Sequence, residues 1–214
     1  MIEEAKKLSD GTAVTLNHKQ VAAIPGGGIP NGTAYVLEHD GSTGIRVDIS
    51  NVSDLNIIPG DFITIVGTMQ TSKEGERYVS AAKITKVGAG RTMDPTQLRI
   101  ADAYTDGGPY LYRLVEFSGK VGNVNNDNFI LNDGDSLTVV YCGPLPKPAA
   151  GSLIKVKGIL SKDKIGLPSL LLRYSQDQML STASDWAAPV EGQGCLRDWL
   201  ILGVFGPEKV QKTA

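Results

Sequence analysis

Apolar and polar positions alternate in short runs along this chain, and a period of two predicts strands rather than helices. Ile45, Val47 and Ile49 alternate with Arg46 and Asp48, which gives one buried face and one wet face. Ala13 to Ile24 reads as an opening strand with Val14, Leu16 and then Val21 as its apolar positions. Thr33 to Glu38, Ile45 to Ile49, Phe62 to Met69 and Tyr78 to Val87 complete a set of five. Between the first two lies Pro25-Gly26-Gly27-Gly28-Ile29-Pro30-Asn31-Gly32, a loop by composition, since Pro fixes φ and Gly admits positive φ. His39 to Gly44 is a turn, Asn51 to Ile57 a polar connection with one helical turn starting at Ser53 or Asp54, and Thr71 to Arg77 a hairpin loop.

The pattern is then written a second time. Ala34-Tyr35-Val36-Leu37 returns as Asn128-Phe129-Ile130-Leu131, with Tyr35 and Phe129 standing 94 residues apart. Pro59-Gly60-Asp61-Phe62-Ile63-Thr64-Ile65-Val66-Gly67 returns as the run ending at Gly158, 91 residues after Gly67. A spacing that shrinks along the chain is what edited loops and retained strands produce. The second set comprises Leu114 to Val124, Asn128 to Leu131, Ser136 to Tyr141, Ser152 to Ser161 and Pro168 to Tyr174. Two all-β units of five strands follow, in the order of OB-fold barrels rather than of a seven-stranded sandwich. Gly67 and Gly158 fall in the middle of the fourth strands, where a small barrel turns a corner or admits a close backbone. The units are expected over residues 1–90 and 91–188, with 189–214 as a tail. Their linker carries a helical candidate at Asp94-Pro95-Thr96-Gln97-Leu98, capped by Asp94 with Pro95 in the first turn.

The run Glu4 to Val14, the Ala34-Tyr35-Val36-Leu37-Glu38 strand, Ser42-Thr43-Gly44-Ile45-Arg46-Val47 and Pro59-Gly60-Asp61 together resemble bacterial OB-fold repeats of secreted and cell-surface multidomain proteins. The resemblance spans residues 3 to 180 and implies a fold and a setting, extracellular or cell-surface, without an activity. Arg197-Asp198-Trp199-Leu200-Ile201-Leu202-Gly203 is similar to the first strand of a β-sandwich domain found after such modules. A piece cut from a larger protein is therefore expected, with any export signal outside it.

Charge and candidate chemistry narrow the function classes. Basic against acidic residues number 8 to 10 over residues 1–90, 10 to 10 over 91–188 and 3 to 3 over the remainder. No segment is basic, which counts against nucleic acid as a partner, because binding without sequence readout rests on neutralised phosphates. The longest apolar stretch, Trp199 to Phe205, is far short of the roughly 20 residues of a spanning helix, so no membrane insertion is expected. Cys142 and Cys195 lack CxxC spacing, and His18 and His39 lie in the other unit, which leaves no zinc site and no cofactor. The two cysteines are either free thiols or a staple between tail and second unit.

Asn125-Asn126-Asp127 and Asn132-Asp133-Gly134-Asp135-Ser136 gather oxygen atoms, but tight hairpins require the same residues. Gly26-Gly27-Gly28 is followed by neither a lysine nor a helix, as a phosphate loop would need. No nucleophile elbow or paired catalytic carboxylates occur, so an enzyme is not expected. The expectation is a non-catalytic structural or assembly module whose partner is protein, itself included as homo-oligomer or polymer. Trp199, Leu200, Ile201, Leu202, Val204 and Phe205 would add as a strand to an exposed edge. The alternative is a ligand-binding module for oligosaccharide or single-stranded nucleic acid. Its candidates are Tyr35, Arg46 and Tyr78 in the first unit and Phe129, Tyr141 and Lys155 in the second, set against core packing for Tyr35 and Phe129. The first strand-to-strand loop is where such barrels place ligand contacts. Tyr104, Tyr110 and Tyr112 are expected to clamp the units together.

Overall fold

A computed structural model describes residues 1–52, 56–105, 108–163 and 166–181. Ser53, Asp54, Cys195 and the assembly candidates Trp199, Leu200, Ile201, Leu202, Val204 and Phe205 lie outside them. The chain opens with a short helix, α1 (Ile2–Lys6), followed by β1 (Ala13–Ala23), β2 (Thr33–Leu37), β3 (Gly44–Asp48), β4 (Phe62–Thr71) and β5 (Arg77–Gly88). These five strands close into a barrel in the order β1-β2-β3-β5-β4. β3 and β5 are parallel and the other pairs antiparallel.

After β6 (Thr96–Gln97) and a 3-10 turn at Ile100–Tyr104, the strands β7 (Leu114–Val124), β8 (Asn128–Asn132), β9 (Leu137–Tyr141), β10 (Leu153–Lys162) and β11 (Pro168–Leu172) repeat that order. β10 pairs back with β7, and β9 with β11 is again the parallel pair. In both copies the first strand is long enough to serve two neighbours: the front half of β1 pairs β4 and its end pairs β2, as β7 does with β10 and β8. β6 and β12 (Gln178–Leu180) add to β7 and β10. The chain is thus all-β, two tandem five-stranded OB-fold-like barrels. Among the described residues no helix is long and apolar enough to cross a membrane.

Register ties the copies together and corrects one equivalence. Val14 faces Gly67 as Val115 faces Gly158, and Val47 faces Val79 as Val140 faces Leu170. The counterpart of Phe129, which faces Val140, is Ala34, which faces Val47. Tyr35 therefore corresponds to Ile130 and not to Phe129. A slip of one residue turns every side chain to the opposite face, and the consequence is visible in the cores. Phe129 fills the second barrel with Phe117, Leu131, Ile154 and Leu160. Ala34 and Val36 line the first with Ile2, Ile45, Ile63 and Ile65, while Tyr35 points out of it.

A third apolar cluster lies between the barrels. Ala22, Ala23, Ile29, Tyr35 and Leu37 meet Tyr112, Leu114, Ile159 and Leu171 there. Arg173 Nη1 donates to the carbonyl of Ala22 at 2.9 Å, and the amide of Gly28 donates to the carbonyl of Leu172 at 2.7 Å. Of the three linker tyrosines, Tyr112 does the clamping, its ring lying 6.4 Å from that of Tyr35. Tyr104 donates to the carbonyl of Leu137, and Tyr110 packs on the second core.

Two local elements depart from expectation. The helix foreseen at Asp94-Pro95-Thr96-Gln97-Leu98 is instead strand β6, because Thr96 and Gln97 gain a parallel ladder with Val115 and Glu116. The helical turn comes later, where Asp102 accepts from the amide of Arg99 and Asp133 from that of Ile100. Helix α1 was not foreseen. Ile2 and Ala5 bury against the first core, and Glu3 and Glu4 in its first turn and Lys6 in its last complement the helix dipole. The oxygen-rich turn at Asn132 to Ser136 spends its side chains on backbone: Asn132 accepts from Gly134, and Asp133 from Asp135 and Ser136.

Candidate ligand-binding cleft

A cleft of about 530 Å³ opens at the junction of the two barrels. One wall is the first barrel, from Gln20 of β1, Leu37 at the end of β2, His39 to Gly41 after it, and Phe62 at the start of β4; the other is linker, Gly90 to Asp94 and Thr96, with Arg113 and Leu114. Its aromatic rim is built by an irregularity in β1. Leu16 faces Ile65 but Lys19 faces Ile63, so three steps on β1 match two on β4, which is a bulge. His18 sits in that bulge with φ of 53°. Its ring lies on Phe62, centroids 4.5 Å apart and planes 16° from parallel. His39 approaches the same ring at 5.4 Å, tilted by 54°. The chain's only two histidines thus flank one phenylalanine.

A part-buried ion pair braces this arrangement. Lys19 Nζ donates to Glu38 Oε2 at 2.7 Å, and Glu38 Oε1 accepts the amide of Ile2 at 2.6 Å. Lys19 and Glu38 are chain neighbours of His18 and His39, so the pair holds both imidazole-bearing backbones. Burial alone would raise the Glu38 carboxyl, yet the contacts with Lys19 and Ile2 prevail and hold it below its usual range.

Gln20, buried one residue further along β1, donates from Nε2 to the carbonyls of Gly60 at 3.2 Å and Arg91 at 2.5 Å. That clasp lays the linker against the barrel and turns Arg91 outward. Arg91 is exposed and, among the described residues, forms no ion pair. Arg113 donates to Thr96 Oγ1 at 3.0 Å and lies over the Tyr110 ring at 5.2 Å. Its Nε is buried and, among the described residues, has no hydrogen-bond partner. Asp40 is held below its usual range, first by the Ser42 hydroxyl and amide and less by Arg113.

The residues singled out from sequence do not form one site. Tyr35, Arg46 and Tyr78 do come together, but under cover. Arg46 lies over the Tyr78 ring at 4.8 Å and donates to Glu76 Oε2 at 2.5 Å, while Tyr35 faces Ser161 of the second barrel, hydroxyl to Oγ 3.3 Å. Burial pushes the Glu76 carboxyl up despite Arg46, and pushes the Tyr35 hydroxyl far up. Phe129 is wholly inside the second barrel. Tyr141 packs at the junction beside Gly28, and Lys155 stands on β10 opposite Ser118 and Met179. The Pro25–Gly32 loop, expected to be open for ligand contacts, is packed on the second barrel instead, with Gly27 and Gly28 against Leu172 and Tyr141.

Removing Arg46 should be costly, because it leaves Glu76 buried and uncompensated. Arg46→Met is expected to lose about 2–3 kcal/mol at neutral pH, below the full range for a buried pair because Arg46 keeps some exposure. A carboxyl whose folded-state pKa is raised destabilises the fold above that pKa. The deficit should therefore shrink as pH falls into the carboxylate range and Glu76 takes up a proton, and adding Glu76→Gln should recover most of it. Urea denaturation of the parent and the two variants across pH checks both signs.

No protein-family model matches this chain, and no curated protein matches it. Among solved structures it is similar to a murine DNA-binding protein bound to double-stranded DNA, at 15% identity over 74% of this chain and 90% of that one, TM-score 0.38. The tetrameric p202 HIN2 is similar at 16% identity over 81% and 95%, TM-score 0.36. A Streptococcus pneumoniae multidomain protein with nucleic-acid-binding domains is similar at 14% identity over 78% of this chain and 46% of that one, TM-score 0.24. On this finding the expectation of a self-associating structural module, with nucleic acid discounted as a partner, is withdrawn. The discounting rested on charge averaged over segments. Among the described residues nine ion pairs each take up one cation and one carboxylate, and an average over segments does not register where the unpaired cations lie. With TM-scores this low the likenesses go no further, and a binding role has to stand on the cleft.

Proposed function

We propose that this chain is a non-catalytic nucleic-acid-binding module that holds its ligand in the cleft between its two barrels. One observation carries the proposal: Arg91 and Arg113, neither in an ion pair among the described residues, stand in the same cleft as the rings of Phe62 and His39. Guanidinium groups next to flat rings suit a ligand that alternates phosphates with planar bases. A neutral oligosaccharide would use the rings but gain little from two cations.

Fluorescence anisotropy with labelled 20-mers, single- and double-stranded, DNA and RNA, at a series of salt concentrations is the test. Binding is expected to weaken with salt. In the double variant Arg91→Ala, Arg113→Ala the affinity is expected to fall about tenfold or more and the log–log salt slope by roughly 1.5, since each phosphate contact contributes about 0.7–0.9. Oligonucleotide binding unaffected by that double variant would remove the cleft from consideration. Binding of glycans and of no oligonucleotide would move the function to sugar recognition.

A further inference from the structure

We propose that Phe62 and His39, with His18 behind Phe62, form a stacking subsite for a single unpaired nucleobase, so that the ligand class is single-stranded nucleic acid or an unpaired end rather than continuous duplex. The inference rests on the nucleic-acid-binding function proposed above and sharpens it.

Phe62 contributes nothing to either barrel core; it stands at the mouth of the first, half-covered. One of its faces is closed by His18 and its Cδ2–Cε2 edge lies near Gly90; what remains of the ring, approached by His39, lines the cleft. His18 occupies the left-handed region, which Gly adopts most freely and where His, with Asn and Asp, is among the commoner other residues, so several residue types would serve the backbone. The bulge alone does not call for an imidazole there. What the imidazole adds is a parallel ring that fixes the orientation of Phe62, and the Lys19–Glu38 ion pair fixes the two backbones that carry the histidines. A preset ring lowers the ordering cost of a stacked complex.

Duplex does not fit this arrangement. Bases within a duplex have both faces covered by their neighbours, and its sequence is read at base edges by a helix or ribbon in a groove. The cleft offers the rings of Phe62 and His39, among the described residues no helix lines it, and its volume is that of a small-ligand pocket. An unpaired base has a free face for the ring, and Arg91 and Arg113 are placed for the phosphates that flank it.

The test uses the full chain with a thymidine 12-mer carrying one central 2-aminopurine, whose fluorescence is quenched on stacking, and with the same label in a duplex. Binding of the single strand is expected to quench the probe and to be tighter than binding of the duplex. Phe62→Leu should abolish the quench and weaken binding about tenfold, with the salt slope unchanged, because stacking releases no counterions. His39→Ala, a change at an exposed residue, should weaken the quench with the thermal transition unaltered, and it decides the matter if Phe62→Leu fails to fold. Undiminished quench and affinity in these variants, or duplex bound as tightly as single strand, would overturn the stacking subsite while leaving the nucleic-acid function in place. No binding of any oligonucleotide would overturn both.

Discussion

Gly67→Ala is expected to unfold the first barrel. Gly67 lies mid-way along β4, paired with Val14 on one side and Ala81 on the other, at a shift in the β4–β5 register. A Cβ there would stand 2.2 Å from the carbonyl oxygen of Ser80 and 2.9 Å from Val79 Cγ1. The first of these is backbone in the neighbouring strand and has no rotamer by which to escape. Relief requires β4 and β5 to part, and that exposes Ile65, Met69 and Val79, all fully buried. The loss should exceed about 4 kcal/mol, an exceptional range for which a backbone clash inside a packed core is one of the few recognised causes. Circular dichroism and urea denaturation of the variant should show β signal from the second barrel alone. Gly158→Ala should act in the same sense but less severely, since its Cβ meets the carbonyl of Leu171 at 2.6 Å and Leu170, whose side chain can turn, at 2.8 Å. A variant Gly67→Ala as stable as the parent would mean that the strands are not closed as described.

The same glycines illustrate what was legible in the sequence. Strands with one wet face, such as Ile45 to Ile49, declare their phase, and the strand ends predicted from them fall within a few residues of those observed. The 91-residue spacing of Gly67 and Gly158 is correct because a glycine that admits a backbone marks a unique place in the ladder. Ala34-Tyr35-Val36-Leu37 has no such mark. It is buried on both faces, in the barrel on one side and between the barrels on the other, so its apolar pattern carries no phase and a shift of one residue goes unseen.

The cleft was hidden for a different reason. It draws one residue from β1, one from the start of β4 and short runs from the turn after β2 and from the linker, and no local pattern unites them. One clue was present nonetheless. Val14 and Leu16 are even-numbered and Val21 is odd, so a strand that keeps all three inside must gain a residue between them, and the bulge that holds His18 is that residue. From sequence the two histidines suggest a metal ligand or the partner of a nucleophile, and neither role finds support there, whereas their place is against a phenyl ring.

Gly28→Ala should separate the barrels without melting either. Gly28 belongs to the loop between β1 and β2, and a Cβ on it would fall 1.9 Å from the carbonyl oxygen of Tyr141 and 3.0 Å from the amide nitrogen of Leu172, both backbone of the second barrel. Unlike Gly67, Gly28 is in no strand core; the clash can be relieved by moving one barrel bodily away from the other. The movement would break the hydrogen bond from the Gly28 amide to the Leu172 carbonyl and uncover Tyr35, Leu37, Tyr112 and Ile159. Burying a large aromatic or aliphatic side chain is worth about 1.5–3 kcal/mol, so exposing several removes most of the coupling between the units. Denaturation should change from one transition to two, and the radius of gyration from X-ray scattering should rise while the β signal is kept. Because Arg113 and Leu114 enter the cleft from the second unit and Gln20, His39 and Phe62 from the first, the same variant should also lose oligonucleotide affinity. A single transition and an unchanged radius would show that the loop yields before the interface does, and would remove the rigid junction on which the cleft depends.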